Sequence, residues 1–500
     1  MEQAAQSKGF FERTQGKMNP LVLEHYYKKR MGDIAGSSMY LLNVMRAHVC
    51  MLAKQDIIPR DMAKALSGAL SGWTASGGIT HDMLDPAFED LYLNMEHMLK
   101  EKLGAETAGY LPVARSRNDV EAAMWRMEIR EKLVVLARSV IRHASILIKR
   151  AGDNIDSAMP GYTYHQQAQP LTLGFQLAAL SAAQIRDAER IVQSVKRLNL
   201  NPLGSAALAG TGYPIDREYT ARLLGFDGVT DNCEDAVAAC DYMLESASAA
   251  LLTLTTLSRF AEEVIKWCQN EAGFAALPDD IIDSSSIMPQ KRNPVVPATV
   301  RAQARLAAGD FAGMAAACTV AYEASRDVTI VYEKTIAFIE NAYDMCMVSS
   351  AYAEGITFNL DKLRGALDLG FSTTTEIADT LVRDGNMPFR IAHALVGGLV
   401  GSLYDAGKGP ENLTYEALRA FAREETGKDL PITKAQFDAA NNVDENIARR
   451  GHTGGTSRDQ VQKSLHNQQN RLSGLEKELT AFEAQWKEAG TLLDAACRGI

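Results

Sequence analysis

The chain has 500 residues, of which 46% are hydrophobic and 23% charged, as expected for a globular protein with a large buried core. The formal net charge is −10 and the lysines and arginines form no basic stripe, which argues against a nucleic acid partner. No apolar run reaches the roughly 18 residues that a membrane span needs, and the first residues do not resemble a signal peptide, so we expect neither a membrane protein nor a secreted one.

The cysteines and histidines give no indication of a metal site. The seven cysteines are scattered and none shows C-x-x-C spacing, and the nine histidines show no ligand spacing such as H-x-x-x-H. We therefore expect free thiols in a cytoplasmic protein, with no metal or other cofactor.

Helix dominates the prediction. Three long segments without glycine or proline, at residues 118–151, 233–271 and 314–354, are each predicted to form one long helix. In the second segment, Leu251, Leu254 and Leu257 lie on one apolar stripe. Helices of this length usually bury such stripes against each other, which predicts a helical bundle that includes several subunits.

Shorter helices are predicted on both sides of this central region. A turn at residues 33–38 leads into an amphipathic helix over 39–52, and a long charged helix runs from 457 to about 496. The predicted fold is all-α with three domains, at residues 1–115, 116–364 and 365–500.

A first polar cluster precedes the helix at residue 118. Arg115, Ser116, Arg117 and Asn118 combine guanidinium groups with a helix N-terminus, an arrangement that favours a bound carboxylate. The alternative is simple N-capping by Ser116 or Asn118, with the arginines in solvent.

Two further polar segments are predicted as loops. Residues 160–170 are rich in hydroxyl and amide groups, and fit either a binding loop or a structural connection. Residues 283–294 contain three successive serines, Lys291, Asn293 and two prolines. This composition fits a catalytic loop, and equally a polar surface loop.

The second of these segments closely resembles the signature loop of the aspartase/fumarase superfamily, Gly-Ser-Ser-x-Met-Pro-x-Lys-x-Asn-Pro. Residues 284–294 follow this pattern and depart from it only at Ser284, which replaces the glycine. In the family, the first serine after the glycine removes a proton from carbon. The resemblance therefore implies that Ser285 is the base, and that Lys291 and Asn293 stabilise the dianion that forms.

Other segments resemble the argininosuccinate lyase branch of this superfamily. Residues 115–119 are identical to its Arg-Ser-Arg-Asn-Asp motif, and residues 33–37 resemble its N-terminal substrate loop. Residues 202–211 resemble its Pro-Leu-Gly-Ser-Gly-Ala-Leu-Ala-Gly-Thr segment, and residues 370–390 its C-terminal domain. The resemblance implies a homotetramer whose central bundle is built by four subunits and whose active sites are shared between them.

The resemblance also implies a set of substrate-binding residues. Ser116, Asn118 and Thr163 are expected to hold carboxylates, and Gln166 to orient the amine. The acid for the leaving amine stays open, because Tyr164 and His165 are both candidates and an amine that leaves already protonated needs none. The implied binding residues are Ser37, Ser116, Arg117, Asn118, Thr163, Tyr164, Gln166 and Tyr322.

The sequence departs from this branch in the other half of the site. Tyr164 stands where the family has its active-site histidine, and Ala298 where it has the carboxylate paired with that histidine. A loss of both partners indicates a redesigned site, since the loss of one would leave the other unpaired. Of the Tyr-Asn-Lys-Asp-x-Gln segment that recognises arginine, only Tyr322 remains.

These observations predict a carbon–nitrogen lyase that releases fumarate from an N-substituted aspartate. We expect a small dicarboxylate as the ligand, specifically a diamine-linked one such as ethylenediamine-N,N'-disuccinate, with Glu323, Asp327 or Asp279–Asp280 attracting a second ammonium group. One alternative is argininosuccinate lyase. The other is a non-catalytic structural protein like the lens crystallins of this family, although that role gives no reason to keep Ser285, Lys291 and Asn118 together.

Overall fold

Long helices dominate the fold. The computed structural model describes residues 18–29, 31 and 35–500, so Asp33 and Ile34 of the predicted turn lie outside the described residues. The helices are α1 Pro20–Val22, α2 Ser38–Lys54, α3 Arg60–Ala75, α4 Leu91–Leu103, α5 Ala105–Ala108, α6 Arg117–Asp153, α7 Leu173–Leu198, α8 Arg217–Leu224, α9 Cys233–Ala238, α10 Asp241–Trp267, α11 Val295–Ala317, α12 Arg326–Gly355, α13 Leu360–Gly365, α14 Thr374–Arg383, α15 Phe389–Asp405, α16 Tyr415–Thr426, α17 Lys434–Asn441, α18 Val443–Arg449 and α19 Arg458–Arg498.

The strands are short and pair two by two. They are β1 Ala158–Thr163, β2 Gln166–Thr172, β3 Leu200–Asn201, β4 Gly228–Val229, β5 Ala275–Ala276, β6 Asp283–Ser284, β7 Arg292–Asn293 and β8 Thr357–Phe358. The pair β3–β4 is parallel, whereas β1–β2, β5–β8 and β6–β7 are antiparallel. None of the helices in the described part of the chain is long and apolar enough to cross a membrane.

The central bundle consists of α6, α7, α10, α11 and α12. Helix α6 packs against α7 and α12, and α10 packs against α7, α11 and α12. Leu133 and Leu136 of α6 and Leu254 and Leu257 of α10 are completely buried. The predicted helical bundle is therefore confirmed within one chain, and the apolar stripe of the second long segment faces its core.

Two of the three segments predicted as single long helices are interrupted in the structure. The segment 233–271 is interrupted at Ala239, whose backbone is extended, so that α9 and α10 are separate helices. The segment 314–354 is interrupted at 318–325, where the chain reverses between α11 and α12. Helices α11 and α12 pack side by side. Tertiary packing therefore interrupts the helix here, although this segment contains neither glycine nor proline.

The start and the finish of α6 define the two ends of the bundle. Helix α6 has 37 residues and is therefore about 55 Å long. We call the end at which α6 begins the first end, and the end at which it finishes the second end. Asn118 contacts the loop after β3 at the first end, and Arg150 contacts the residue after α12 at the second end.

The C-terminal region packs in two ways. Residues 371–440 surround a small core of their own, which includes Ile377, Leu381 and Phe437. Helix α19 instead packs along α2, α6 and α7, and its Leu472 and Leu479 join the main core. The three domain boundaries given above remain predictions.

Arg130 links α19 and α8 to the centre of α6. Its side chain is 1% exposed and donates hydrogen bonds to Asn199 Oδ1 at 2.6 Å and to the carbonyl oxygens of Leu224 at 2.6 Å and Gly225 at 3.1 Å. Those two carbonyls end α8, where helical hydrogen bonds run out. The guanidinium group also lies 4.7 Å from the ring centre of Trp486 on α19. Burial lowers the pKa of Arg130 to about 10, so the group remains charged at neutral pH.

We expect Arg130→Ala to lower the free energy of unfolding by about 3 kcal/mol or more, because it leaves buried acceptors unpaired and opens a cavity. Urea denaturation followed by circular dichroism measures this. The matched control is Arg142→Ala on the exposed side of the same helix, with an expected change within about 0.5 kcal/mol. Equal unfolding midpoints for the two variants would contradict the role assigned to Arg130.

Candidate active site

The signature loop is the tip of a short hairpin at the second end. Strand β6 pairs with β7, and the residues between them form the tip. Arg292 holds the hairpin in place, donating to the carbonyl oxygen of Leu277 at 2.8 Å and to Asp279 Oδ1 at 2.5 Å. The backbone N–H of Lys291 donates to Met288 O at 3.0 Å, which tightens the tip.

The three side chains predicted for catalysis lie on this hairpin. Ser285 is half-buried, and its Oγ accepts a hydrogen bond from the backbone N–H of Met288 at 3.1 Å. Asn293 is half-buried and Lys291 is exposed. Ser284, which replaces the family glycine, lies in the antiparallel pair with Arg292. The backbone there is extended, so the position does not need glycine.

The predicted carboxylate site at the first end is anchored by Asp119. Ser116 caps α6, and Asp119 Oδ1 accepts the backbone N–H of Ser116 at 2.9 Å, which completes a capping box. Asp119 Oδ2 accepts the N–H groups of Gly204 at 2.8 Å and Ala206 at 3.0 Å. Burial raises the pKa of the Asp119 carboxyl, and these three N–H donors oppose the rise. The predicted N-capping by Ser116 is therefore observed, and the binding of a carboxylate at this site stays a prediction.

Asn118 and Arg117 already have partners in the single chain. Asn118 Nδ2 donates to Ala207 O at 3.1 Å, and Arg117 Nη1 donates to Asp90 Oδ2 at 2.6 Å. Burial disfavours the charge on Arg117, but Asp90 and the neighbouring glutamates outweigh burial and raise the pKa of the guanidinium group.

A cavity of about 310 Å³ lies over these residues at the first end. Asn118 and Arg117 line one side together with Asp90 and Glu121, and the segment 324–326 lines another. The sequence prediction did not include Asp90 and Glu121. Asp90 is 27 positions from Arg117 and belongs to no motif, so no local sequence signal indicated that it lines the cavity.

Ser37 lies behind this cavity. Its Oγ donates to the buried Glu128 Oε2 at 2.7 Å, and the hydroxyl of Tyr332 donates to the same oxygen. Trp125 stacks on Tyr332 with ring centres 5.0 Å apart and also lines the cavity. In the single chain, the Ser37 hydroxyl therefore already donates its hydrogen bond to another residue of the protein. The sequence prediction missed Glu128, because nothing in the sequence connects α6 to residues 37 and 332.

Tyr322 lies in the connection between α11 and α12. It is exposed, and its hydroxyl donates to Asp235. This hydrogen bond, with a smaller contribution from burial, raises the pKa of Tyr322 to about 12.

The segment 160–170, predicted as a loop, is a β-hairpin at the second end. Thr163 and Gln166 are paired across it, and Tyr164 and His165 form its two-residue turn. Both turn residues have positive φ, 53° for Tyr164 and 61° for His165, a conformation that favours glycine, asparagine or aspartate. The Tyr164 side chain is 98% exposed. The tip therefore projects away from its own chain.

The predicted site residues thus fall into two groups. Ser37, Ser116, Arg117, Asn118 and Tyr322 lie at or near the first end, and Thr163, Tyr164, Gln166, Ser285, Lys291 and Asn293 lie at the second end. The length of α6 separates the two groups by roughly 50 Å. One chain by itself does not bring them together.

Comparison with known families matches most of the chain. A family model described as "Lyase" matches residues 19–309, and one described as "Argininosuccinate lyase C-terminal" matches residues 371–445. An argininosuccinate lyase of Methanospirillum hungatei is 36% identical over 433 residues, which are 85% of this chain and 85% of that protein. An argininosuccinate lyase of Hyphomonas neptunium is 37% identical over 420 residues, which are 82% of this chain and 86% of that protein.

A solved structure supports the same assignment. The structure of an EDDS lyase variant with bound fumarate has a TM-score of 0.86 and 27% identity to this chain, and covers 97% of this chain and 96% of its own. The all-α fold is therefore confirmed. The chain belongs to the argininosuccinate lyase-like branch of the aspartase/fumarase superfamily and is a carbon–nitrogen lyase.

Proposed function

We propose that the protein eliminates fumarate from an N-substituted aspartate whose amine part is a diamine, as in ethylenediamine-N,N'-disuccinate. The observation that carries this proposal is the uneven set of changes around the site. The residues expected to bind the succinyl half are present, whereas Tyr164 and Ala298 replace the His–carboxylate pair and the arginine-recognition segment keeps only Tyr322. The similarity to EDDS lyase along 97% of this chain supports the proposal.

The proposed chemistry starts at the carbon next to a carboxylate. Its proton is only weakly acidic, so its removal requires stabilisation of the dianion that results. Ser285 Oγ is the proposed base, and Lys291, Asn293 and the N–H groups of the hairpin tip are the proposed stabilisers. The exposure of Lys291 in the single chain means that the tip must be covered before its charge acts at full strength.

Other copies of the chain are proposed to complete the site. Because Asn118 and Ser285 lie at opposite ends of the bundle, a small substrate reaches both only if the first end of one copy meets the second end of another. The outer side of α11 supports such packing, since Leu306 is 64% exposed within a stripe of small or apolar residues. The stripe consists of Ala302, Leu306, Gly309, Gly313 and Ala316. A homotetramer with shared sites is the proposed assembly.

The cavity at the first end is the proposed place for the amine half. Asp90 and Glu121 provide carboxylates for ammonium groups, and Arg326 on another side provides a cation for a distal carboxylate. Glu323 and Asp327 flank the segment 324–326 that lines this cavity, whereas Asp279 lies at the second end beside Arg292. The cavity at the first end is therefore preferred over the loop at Asp279.

Argininosuccinate lyase is the second candidate. The 36% identity to the enzyme of Methanospirillum hungatei favours it, because that similarity extends over 85% of both chains. The changes at Tyr164, Ala298 and residues 323–327 oppose it.

A substrate panel separates the two candidates. We expect purified protein to release fumarate from ethylenediamine-N,N'-disuccinate, and to form aminopolycarboxylates from fumarate and diamines, because the succinyl-binding residues are kept and the arginine segment is not. Release of fumarate is followed by its ultraviolet absorbance. Efficient turnover of argininosuccinate together with no reaction of any diamine would overturn the proposal.

Ser285→Ala is expected to lower kcat by roughly 10²–10⁴-fold, because the base is lost. The oligomer should be unchanged, as judged by size-exclusion chromatography. Ser284→Gly restores the family residue and serves as the matched control, with activity close to that of the unmodified protein. Activity retained in Ser285→Ala would move the role of base to Ser284 or Ser286.

Mixing two inactive variants tests whether sites are shared. Asn118→Ala and Ser285→Ala, unfolded together at equal amounts and refolded, should regain about a quarter of full activity, since random assembly gives that share of sites with both residues intact. Each variant refolded alone is the control. No recovery in a mixture that has formed mixed oligomers would show that both residues act from one chain.

A further inference from the structure

Two cysteines from opposite ends of the sequence lie in contact. Cys50 is near the end of α2, and Cys497 is in the last turn of α19. Their Sγ atoms are 3.4 Å apart, and both are free thiols. A disulfide has an S–S distance of about 2.05 Å, so the bond requires the two sulfur atoms to approach by roughly 1.4 Å.

Neighbouring groups hold the last turn of α19 against α2 and α3. Arg46 donates to Asp494, one turn before Cys497. Ser67 Oγ donates to the carbonyl oxygen of Cys497 at 3.3 Å, and Arg60 reaches the carbonyl oxygen of Gly499 at 3.4 Å. The two sulfur atoms are thus held together by three contacts that do not involve sulfur.

The two thiols differ in reactivity. The hydrogen bond between them lowers the pKa of Cys497, and the Arg46 guanidinium lowers it further. The same hydrogen bond, together with burial, raises the pKa of Cys50. Cys497 is also half-buried, whereas Cys50 is buried. Cys497 is therefore the thiol placed to attack, and Cys50 the thiol placed to resolve.

Two of the other cysteines, Cys346 and Cys318, are poorer candidates for the first attack. Cys346 is completely buried, and burial raises its pKa to about 12. Burial, with a hydrogen bond to Cys240, also raises the pKa of Cys318 to about 12. A thiol with so high a pKa is a poor nucleophile toward a disulfide in solution. The pKa of Cys50 is also raised, but Cys50 would attack a sulfur atom that already lies beside it, and the hydrogen bond that raises its pKa is lost once Cys497 is in a mixed disulfide.

We propose that Cys50 and Cys497 form a modification site that reacts with small-molecule disulfides and closes to an intrachain disulfide. In the first step, the Cys497 thiolate attacks one sulfur of the small disulfide, forms a mixed disulfide and releases one thiolate. In the second step, Cys50 attacks Cys497 Sγ and expels the other small thiolate, which leaves as a thiol with the Cys50 proton. One disulfide is reduced and two protein thiols are oxidised, so electrons balance.

The bond would join α2 to the last turn of α19. It would fix the end of α19 to the helix that begins at Ser38, directly after the predicted substrate residue Ser37. Because the crosslink would close a loop of more than four hundred residues between positions 50 and 497, it should restrict the unfolded chain strongly.

The test uses the full-length reduced protein and oxidised glutathione as the probe. We expect the loss of two titratable thiols, a Cys50–Cys497 linked peptide in the protease digest, and a rise in Tm that dithiothreitol reverses. In Cys50→Ser, glutathione should remain attached to Cys497, because the resolving thiol is missing. In Cys497→Ser, Cys50 should carry no adduct.

Cys346→Ser is the matched control, and it should form the linked peptide like the unmodified protein. The proposal would be overturned if Cys497 stayed unmodified in the folded protein, if its glutathione adduct persisted with Cys50 present, or if the linked peptide joined other cysteines. These readouts do not depend on lyase activity, so the outcome is independent of the proposed substrate.

Discussion

The length of one helix controls the arrangement of the functional groups. Helix α6 extends for 37 residues, with Asn118 in its first turn and the β1–β2 hairpin just after its end. A helix of that length is rigid and straight enough to hold the two groups roughly 50 Å apart in every copy of the chain. Under the proposed function, the base Ser285 and the carboxylate-binding residue Asn118 can therefore meet only where copies of the chain pack in opposite directions. The exposed Leu306 of α11 and the projecting tip at Tyr164 agree with this proposed packing.

A single buried carboxylate organises the first end in a comparable way. Asp119 satisfies the N–H groups of Ser116, Gly204 and Ala206, and so joins the start of α6 to the loop that contacts Asn118. Ala206 has φ of 52°, in the left-handed region, where the related segment of the argininosuccinate lyase branch has glycine. The hydrogen bond to Asp119 helps to hold alanine in this unfavourable conformation, which shows how firmly the carboxylate fixes the loop.

The all-α class, the long α6 and the candidate catalytic segment at residues 283–294 could be predicted from the sequence, because long apolar periodicity and a dense motif are local signals. It did not reveal the breaks at Ala239 and at residues 318–325, since these depend on packing between distant helices. It also missed Asp90 and Glu128. Both act through partners many residues away, Arg117 for the first and Ser37 with Tyr332 for the second. A motif therefore indicates a candidate catalytic loop, whereas the walls of the cavity depend on tertiary contacts.

The turn at Tyr164 and His165 has a consequence for how this scaffold diversifies. Its side chains project from the chain, and Tyr164 is 98% exposed, so a change of residue there removes no contact from the core of its own subunit. Under the proposed function, stability and substrate choice are in this way encoded at different positions. If the tip contacts the leaving group as proposed, mutations there can change the substrate without passing through poorly folded intermediates.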